Sequence, residues 1–316
     1  MDESVEILQY KIETYGSTYY VYNVKLNETE KGDCFMLLYH YCSFEKFKSI
    51  IESKTLWLTQ IVKSNDKEEV SRTFKIIWDS VQKDLEKGLG DMQNSADIIK
   101  ILSSQMEVEL HSSLKGDETP YGVCLSINRD LAQNWNEYGD MSRGIAIGFS
   151  SELFTGIAHN MPHPSMNLEH SIGWNQVYYD RDGLTQNFIP IFIDTLRSDT
   201  TASGWLTVRT TLKHYSAFIK NPTFKDEREV RVIYYPRKEH SENSISEVSN
   251  IIEEPLLHCT LPWLKSDGMC ALKEIIIGTN CEYTSEDIRN LLHKNGVHSD
   301  ISIVKSEYPY RISKNR

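Results

Sequence analysis

The stretch from Lys225 to Tyr235 constrains this chain more than any other, because it sets charged side chains beside a strand-like apolar run. Successive side chains of a strand point to opposite faces, so Glu227, Glu229 and Arg231 are predicted to share one face. If that face is buried, its charges need partners, since an unpaired interior charge is strongly disfavoured. The pattern predicts either paired charges inside the protein or, more simply, an exposed edge strand whose charges discourage pairing with other strands.

The composition predicts a soluble cytoplasmic protein. The chain has 316 residues, 40% of them hydrophobic and 25% charged, which allows one large domain or two small ones. Its net charge of −11 argues against general binding of polyanions. The acidic N-terminus and the short apolar runs argue against a signal peptide and a membrane partner. The six cysteines show no Cys-x-x-Cys spacing, which favours reduced thiols over disulfides or structural zinc.

The hydrophobic pattern predicts an α+β chain of short strands and uneven helices. Residues 1–34 are expected to be a loosely structured lead-in, and residues 35–316 a single domain with a helical insertion at about 66–115. Strands are predicted at 35–41, 55–59, 121–127, 144–149, 174–179, 272–278 and 301–305, besides the opening stretch. Helices are predicted at 43–54, 130–138, 205–220 and 285–294. Residues 236–250 are interpreted as a polar loop or hairpin tip.

Two polar segments have weaker signals. His159, His163 and His170 lie in a predicted loop, but their spacing fits no established metal motif, so a surface loop is the favoured interpretation. Asn65 and Asp66 are interpreted first as a turn and helix cap, and second as the lining of a cleft. The sequence contains no P-loop, nucleophile elbow, kinase motif set or His-Glu-x-x-His.

An ordered set of short motifs resembles a widespread bacterial family of unknown function. In chain order the motifs are Leu38-Tyr39-His40-Tyr41, Asn65-Asp66-x-Glu68, Cys124-Leu125-Ser126, Trp135-x-x-Tyr138, Lys220 and Glu227-x-Glu229-x-Arg231. The family's usual patterns include Leu-Tyr-(Lys/His)-Tyr, Asn-Asp-Pro-x-Glu, Phe-Ser, Leu-Trp-x-x-Tyr and Glu-x-Glu-x-Arg. The resemblance runs from about residue 35 to the C-terminus and depends on the number and order of the motifs. This chain departs from it at Lys67, where proline is usual, and at Leu125, where phenylalanine is usual.

The same layout resembles, more distantly, the ADP-ribosyltransferase fold, which implies split mixed and antiparallel β-sheets around a cleft. Members carry Tyr-His or Tyr-Arg on the first strand, Ser or Tyr on a middle strand, and a late catalytic Glu, often as Glu-x-Glu. The resemblance implies NAD as a substrate and no metal. The catalytic residues that it implies are Glu229, Glu227, His40 and Ser126. The NAD contacts that it implies are His40, Tyr41, Ser126, Tyr138, Asn65 and Arg231.

Each implied role follows a physical rationale. Glu229 would stabilise the positive charge that builds on the ribose as nicotinamide leaves. Glu227 would position or activate the acceptor, a general-base task suited to a carboxylate of raised pKa. His40 would bind a ribose hydroxyl or the carboxamide through a ring nitrogen, and an aromatic ring would stack on the nicotinamide. Arg231 is expected to be the counter-ion of a carboxylate, with direct substrate contact as its lesser role.

The resemblance also implies a bacterial toxin or defence effector, with a protein or nucleic-acid acceptor and a neutralising antitoxin partner. Two other functions remain open at this point. One is a metal-dependent nuclease in which Glu227, Glu229 and Asp66 supply oxygen ligands. The other is a non-enzymatic interaction module with the same fold.

Simpler structural interpretations stand beside the functional ones. His40 could be a core histidine bonded to the backbone. Trp135 and Tyr138 are more often packing residues than substrate contacts.

Overall fold

The computed structural model describes residues 6–14, 17–25, 36–61, 78, 82–90, 93–112, 120–154, 172–179, 190, 192–199, 201, 203–204, 217–234, 249–253 and 256–308. These residues form a mixed α/β fold with one large mixed sheet, a separate two-stranded sheet and several helices. The strands are β1 (Glu6–Thr14), β2 (Ser17–Lys25), β3 (Leu37–Cys42), β4 (Thr55–Gln60), β5 (Tyr121–Ser126), β6 (Ile145–Ser150), β7 (Ile172–Gln176), β8 (Glu229–Tyr234), β9 (Ser249–Glu253), β10 (Leu256–Pro262), β11 (Leu272–Ile277) and β12 (Ser302–Lys305). The labelled helices are α1 (Phe44–Ser53), α2 (Ser95–Ser112), α3 (Ala132–Glu137) and α4 (Ser285–Lys294).

The strands predicted from apolar runs are present with small shifts of their ends. Helices α1 and α4 also agree with the sequence, because Ser43 caps the first and Thr284 forms a capping box with Asp287 at the second. Residues 1–34 were expected to be a loosely structured lead-in, but β1 and β2 within this range pair as an antiparallel hairpin. Strands β9 and β10 were not predicted. Within the insertion at 66–115, residues 82–88 and helix α2 are helical.

Some predictions fall wholly or partly on residues outside those described. These are Asn65 and Asp66, the three histidines of the 159–170 loop, positions 235–248 and positions 205–216. The helix predicted for 205–220 does not include its last residues. Residues 217–220 form a turn, and Ile219 makes an isolated bridge with Tyr178.

The large sheet takes strands from most of the chain. Its main path runs β12-β11-β6-β3-β5-β4-β10-β9, while β8 pairs with β5 and β7 pairs with β8. The pair formed by β11 and β12 is parallel, and the other described pairs are antiparallel. This arrangement makes β5 the strand at which three parts of the sheet meet.

The sheet forks at β5. One edge of β5 pairs with β8 along six residues, whereas its other edge is shared between β3 and β4. Tyr39 of β3 pairs with Ser126 at one end, and β4 pairs with the first two residues of β5. In the gap between them, Nδ1 of His40 lies 3.1 Å from the carbonyl oxygen of Cys124. Because a carbonyl only accepts, the ring donates from Nδ1 and replaces the absent strand partner.

The two faces of the large sheet differ in chemistry. One face packs against α1 and α4 in an apolar core that includes Leu38, Phe47, Leu125, Ile147, Val230 and Ile288. The other face carries Tyr39, Ser126 and Glu229 in register across β3, β5 and β8. The polar residues of the candidate site therefore lie on the face opposite this core.

Strand β8 lies inside the sheet. It pairs with β5 on one side and β7 on the other, and all six of its residues are buried. The interpretation of its charges as an exposed edge row is therefore wrong. The predicted strand register is also wrong at Glu227, which ends a 3-10 helix over Pro222–Glu227. Arg228 then adopts a left-handed φ of 42°, and the strand begins at Glu229.

Candidate active site

Two carboxylates and one ammonium group form the centre of the site. Nζ of Lys220 lies 2.6 Å from Oε2 of Glu227 and 3.2 Å from Oε2 of Glu229. The two glutamates are buried, Lys220 is partly buried, and its ammonium also lies 4.8 Å above the ring centre of Phe224. The 3-10 helix and the left-handed Arg228 thus bring Glu227 to the same cation that binds the first residue of β8.

Arg231 holds Glu229 from within the strand. The two residues are two positions apart and share a face of β8. Nε of Arg231 lies 2.5 Å from Oε1 of Glu229, and Nη2 lies 3.2 Å from Oε2. Nη1 donates to the carbonyl of Ala217 at 2.8 Å. The guanidinium is buried and bonded on three nitrogens, so the predicted role of Arg231 as an internal counter-ion is confirmed.

The pKa values of the two carboxylates shift in opposite directions. Burial tends to raise the pKa of Glu229, but Arg231 and Lys220 outweigh this effect and lower it to about 2. Burial raises the pKa of Glu227 above its ordinary value, despite the opposing effect of Lys220. Burial alone would lower the pKa of Lys220, but Glu229 and Tyr138 outweigh it and raise that pKa. Glu229 is therefore held as an anion, whereas Glu227 is protonated more readily than an ordinary glutamate.

Three further side chains contact Glu227 or Glu229, two of them at the carboxylate and one at the backbone. The hydroxyl of Tyr138 donates to Oε1 of Glu227 at 3.2 Å. The hydroxyl of Tyr179 accepts from the backbone N–H of Glu229 at 2.8 Å. The thiol of Cys124 hydrogen-bonds the Glu229 carboxylate, and burial raises the pKa of that thiol well above its usual range. Cys124 is nevertheless exposed, and Tyr138 is 38% exposed, so solvent reaches the site beside these two residues.

Ser126 connects β5 with both carboxylate-bearing residues. It pairs with Glu229 across the two strands. Its hydroxyl donates to the carbonyl of Glu227 at 2.5 Å and accepts from the N–H of Asn128 at 3.1 Å. The structure thus places Ser126 beside Glu227 and Glu229, with its hydroxyl engaged by the backbone.

His40 is joined to the cluster through one intervening residue. Strand alternation puts Tyr39, rather than His40, on the face that carries Ser126 and Glu229. The His40 ring fills the gap beside β5, where it bonds the carbonyl of Cys124, whose thiol bonds Glu229. Burial lowers the pKa of His40, so the ring is neutral at pH 7. The backbone bond expected of a core His40 is present, although the residue is only partly buried.

Tyr41 and Trp135 have structural positions. The Tyr41 hydroxyl donates to the carbonyl of Asn128 and accepts from the N–H of Leu131, which fixes the loop after β5. Trp135 is fully buried, with its ring edge-on to Tyr41 at 5.0 Å. Packing is therefore the confirmed role of Trp135, in contrast to the half-exposed Tyr138. Asn65 lies outside the described residues.

The charges of the cluster do not favour a divalent cation. Glu227 and Glu229 carry two negative charges, and Lys220 and Arg231 carry two positive ones, so the sum is zero. Each carboxylate oxygen accepts a bond from one of these cations or from Tyr138. Across the part of the chain that the structure describes, no group of three or more His, Cys, Asp or Glu side chains is arranged to hold a metal.

Lys220, Tyr179 and Cys124 are site residues to which the sequence argument gave no role, although Lys220 and Cys124 stand in the motifs of the resemblance. Charge balance is the signal that could have found the first of them. The buried row contains two carboxylates but only one guanidinium on the same face, so its burial requires a second cation. Nothing in local periodicity points to Lys220, which precedes the row and lies outside regular secondary structure.

Comparison with curated proteins and with solved structures gave no match. Among the described helices, none combines the length and apolar character needed to cross a bilayer. The comparison with protein families covers the stretch from α3 to β8, which contains Trp135, Tyr138 and the charged residues of the site. Over residues 134–232 the chain matches the model of DUF2971, a protein family of unknown function, as the resemblance to such a family predicted.

Proposed function

We propose that this chain is an NAD-consuming ADP-ribosyltransferase whose reaction centre is the pair Glu229 and Glu227. The observation that carries the proposal is that the pKa values of two neighbouring carboxylates are shifted in opposite directions. Glu229 is held ionised by Arg231 and Lys220, whereas the pKa of Glu227 is raised by burial. Two carboxylates with pKa values pushed apart are the arrangement that general acid–base chemistry uses.

The fork in the sheet supports the proposed fold. The strands that bear His40, Ser126 and Glu229 are β3, β5 and β8, and these three are neighbours. The two halves of the sheet separate beside the middle strand, as expected for split sheets around a cleft. The exposed Cys124 lies on β5 beside this separation, within hydrogen-bonding distance of Glu229.

The proposed reaction exchanges one bond at the ribose carbon C1′. The bond from C1′ to the nicotinamide nitrogen breaks, and nicotinamide leaves as a neutral molecule with the electron pair of that bond. Positive charge develops on the ribose, and the fixed anion Glu229 stabilises it. A nucleophile of the acceptor then bonds to C1′, and its proton passes to the ionised form of Glu227.

The tautomer of His40 allows a substrate contact from the gap beside β5, because its strand position is on the face opposite Ser126 and Glu229. Its Nδ1 proton is used by the carbonyl of Cys124, and its low pKa keeps Nε2 unprotonated. Nε2 is therefore an acceptor for a ribose hydroxyl. The half-exposed ring of Tyr138 offers an aromatic surface beside Glu227 for the nicotinamide.

The biological setting of the proposal comes from the resemblance. A cytoplasmic bacterial enzyme of this kind acts as a toxin or defence effector on a macromolecular acceptor, and an antitoxin partner neutralises it. Of the alternatives, the nuclease is disfavoured by the two cations that already neutralise Glu227 and Glu229.

The test is release of nicotinamide from NAD by the purified protein, measured by chromatography with and without cell extract. We expect Glu229→Gln to abolish release. Glu227→Gln should retain slow hydrolysis of NAD but lose transfer of ADP-ribose to the acceptor. Glu282→Gln changes an exposed carboxylate and serves as the control.

Thermal unfolding of each variant shows whether it is folded, because the two site carboxylates are buried. Wild-type protein that releases no more nicotinamide than Glu229→Gln contradicts the proposal. Magnesium-dependent cleavage of nucleic acid without NAD would support the nuclease instead.

A further inference from the structure

We propose that the turn from Gly139 to Gly144 is a docking surface for a protein acceptor, which contacts Met141 beside Tyr138. The docking surface is defined here as residues 138–144. The inference rests on the proposed function for the reaction that follows docking, and it names the class of acceptor that the function leaves open.

The docking surface has a strained backbone. Asp140, Met141 and Ser142 are consecutive, and all three lie in the left-handed region, with φ of 51°, 52° and 63°. Residues with a side chain rarely adopt this region, and runs of them are rarer still. The other two such residues in the described chain, Lys54 and Arg228, are isolated helix caps. Strain of this kind concentrates at functional sites and persists only where the surroundings enforce it.

The surroundings of the turn do enforce this conformation. The N–H of Asn280 donates to the carbonyl of Ser142 at 2.9 Å, and its side-chain amide donates to the carbonyl of Met141 at 3.3 Å. Gly278 crosses the turn so closely that a Cβ there would lie 2.2 Å from the Ser142 oxygen. Gly144 closes the turn, since its N–H donates to the carbonyl of Gly139 at 3.0 Å.

This rigid turn presents apolar side chains to solvent next to the carboxylates. Met141 is 50% exposed and Tyr138 is 38% exposed, whereas Ser142, the residue after Met141 in the turn, is fully buried. The Tyr138 hydroxyl bonds Glu227, so the docking surface adjoins the residue proposed to receive the acceptor proton. Exposed apolar groups beside a reaction centre mark an interaction site.

The charges of the docking surface select a protein over a nucleic acid. Asp140 is paired with Arg143 at 2.6 Å, and the exposed Glu137, which directly precedes the docking surface, leaves one net negative charge over residues 137–144. The whole chain carries a net charge of −11. Phosphate-rich acceptors are repelled by such a surface, whereas a protein segment with apolar and basic side chains is complementary to it.

Met141 allows a test that leaves the fold intact. Glycine and asparagine tolerate the left-handed region, so Met141→Gly and Met141→Asn keep the turn while they remove the apolar contact. We expect both variants to hydrolyse NAD within twofold of wild type and to melt at no lower temperature. Transfer of label from NAD to nuclease-treated extract protein should fall about tenfold, as for removal of an interface hot spot.

Controls separate this effect from a general loss of apolar surface. Met141→Leu should retain transfer, and so should Tyr283→Ser, which removes a side chain of 41% exposure packed on Phe44 of α1. Transfer by Met141→Gly at the wild-type rate would overturn the inference. So would label found in deproteinised RNA or DNA in place of protein.

A photo-crosslinking residue at position 141 tests docking independently of activity. We expect a protein adduct that excess wild-type chain suppresses and excess Met141→Gly does not. If wild type releases no nicotinamide but this adduct forms, the proposed function fails and the docking surface stands. Absence of the adduct contradicts the docking surface whatever the enzyme activity.

Discussion

Glu227 and Glu229 share one cation, the ammonium of Lys220, which lies 2.6 Å and 3.2 Å from their Oε2 atoms. Only Glu229 has a second cation, because Arg231 binds it within the same strand. This difference in the number of bound cations explains why the pKa of Glu229 falls to about 2 while that of Glu227 is raised. Lys220 therefore controls the protonation of one carboxylate more than that of the other.

Replacement of Lys220 by methionine should raise the pKa of Glu227 further, because the ammonium is the first of the groups that lower it. Glu229 should stay ionised through Arg231. Carbon NMR of labelled glutamate carboxyls during a pH titration measures both values. Loss of a buried partner should also cost about 3–5 kcal/mol of unfolding free energy. Lys220→Arg, which keeps the charge, is the control, and an unchanged Glu227 titration in Lys220→Met would contradict the assignment.

The stability of the protein should fall steeply in acid because of Glu229. Its folded pKa of about 2 lies below the unfolded value of roughly 4.3. A depressed folded pKa contributes stability that is present above the unfolded value and lost as the pH falls towards 2. The difference corresponds to about 3 kcal/mol. Glu227 acts in the opposite sense, since its raised pKa costs stability at neutral pH and that cost is relieved in acid.

Urea unfolding between pH 7 and pH 2.5 measures this dependence. Glu229→Gln should be less stable at pH 7, because Arg231 loses its ionic partner, and its unfolding free energy should change less across the acid range. Curves of equal slope for wild type and Glu229→Gln would show that Glu229 is not the group responsible.

Gly144→Ala should be strongly destabilising, because a Cβ at this position would lie 2.0 Å from the carbonyl oxygen of Cys42. A backbone atom cannot move aside as a side chain can, so we expect a loss of more than about 3 kcal/mol. Gly296→Ala is the matched control. Its φ is 69° but nothing lies within 4 Å, so it should cost about 1–2 kcal/mol from backbone strain alone. Chemical denaturation of both variants gives the comparison.

Cys124 should react with iodoacetamide slowly at pH 7 and much faster above pH 9, although it is exposed. The residue as a whole is exposed, but its sulfur is desolvated beside Glu229, and both effects raise the pKa of the thiol, whose thiolate is the reactive form. Peptide mass spectrometry at several pH values follows the modification. The buried Cys42 and Cys259 should stay unmodified until the protein unfolds. Rapid labelling of Cys124 at pH 7 would contradict its contact with Glu229.

Local sequence patterns predicted the separate elements well. Apolar runs located β3, β5 and β11, and capping residues located the start of α4, because strand burial and helix capping are read from neighbouring residues. Strand β10 was missed although Cys259 and Leu261 alternate with His258 and Thr260, a period-two pattern shorter than the neighbouring apolar runs. The hairpin of β1 and β2, which among the described strands form a sheet of their own, was missed because its polar and aromatic residues showed no sustained period.

The site itself depended on contacts between distant residues. Ser126 and Glu229 are more than one hundred positions apart, and only the pairing of β5 with β8 makes them neighbours. The charged row predicted that Arg231 would be a counter-ion, since two residues of one strand share a face. It did not predict that Glu227 would leave the strand through a left-handed Arg228 and meet Lys220 instead.

The fork at β5 also determines how the two halves of the sheet can move relative to each other. The half of the sheet built from β12, β11, β6 and β3 is attached to β5 by the strand pair of Tyr39 with Ser126 and by the bond from His40 to the carbonyl of Cys124. Widening of the fork therefore acts on Ser126, whose hydroxyl donates to the carbonyl of Glu227, and on Cys124, whose thiol bonds Glu229. A change in the distance between the two halves of the sheet would thus also shift the backbone of Glu227, and with it a carboxylate of the site.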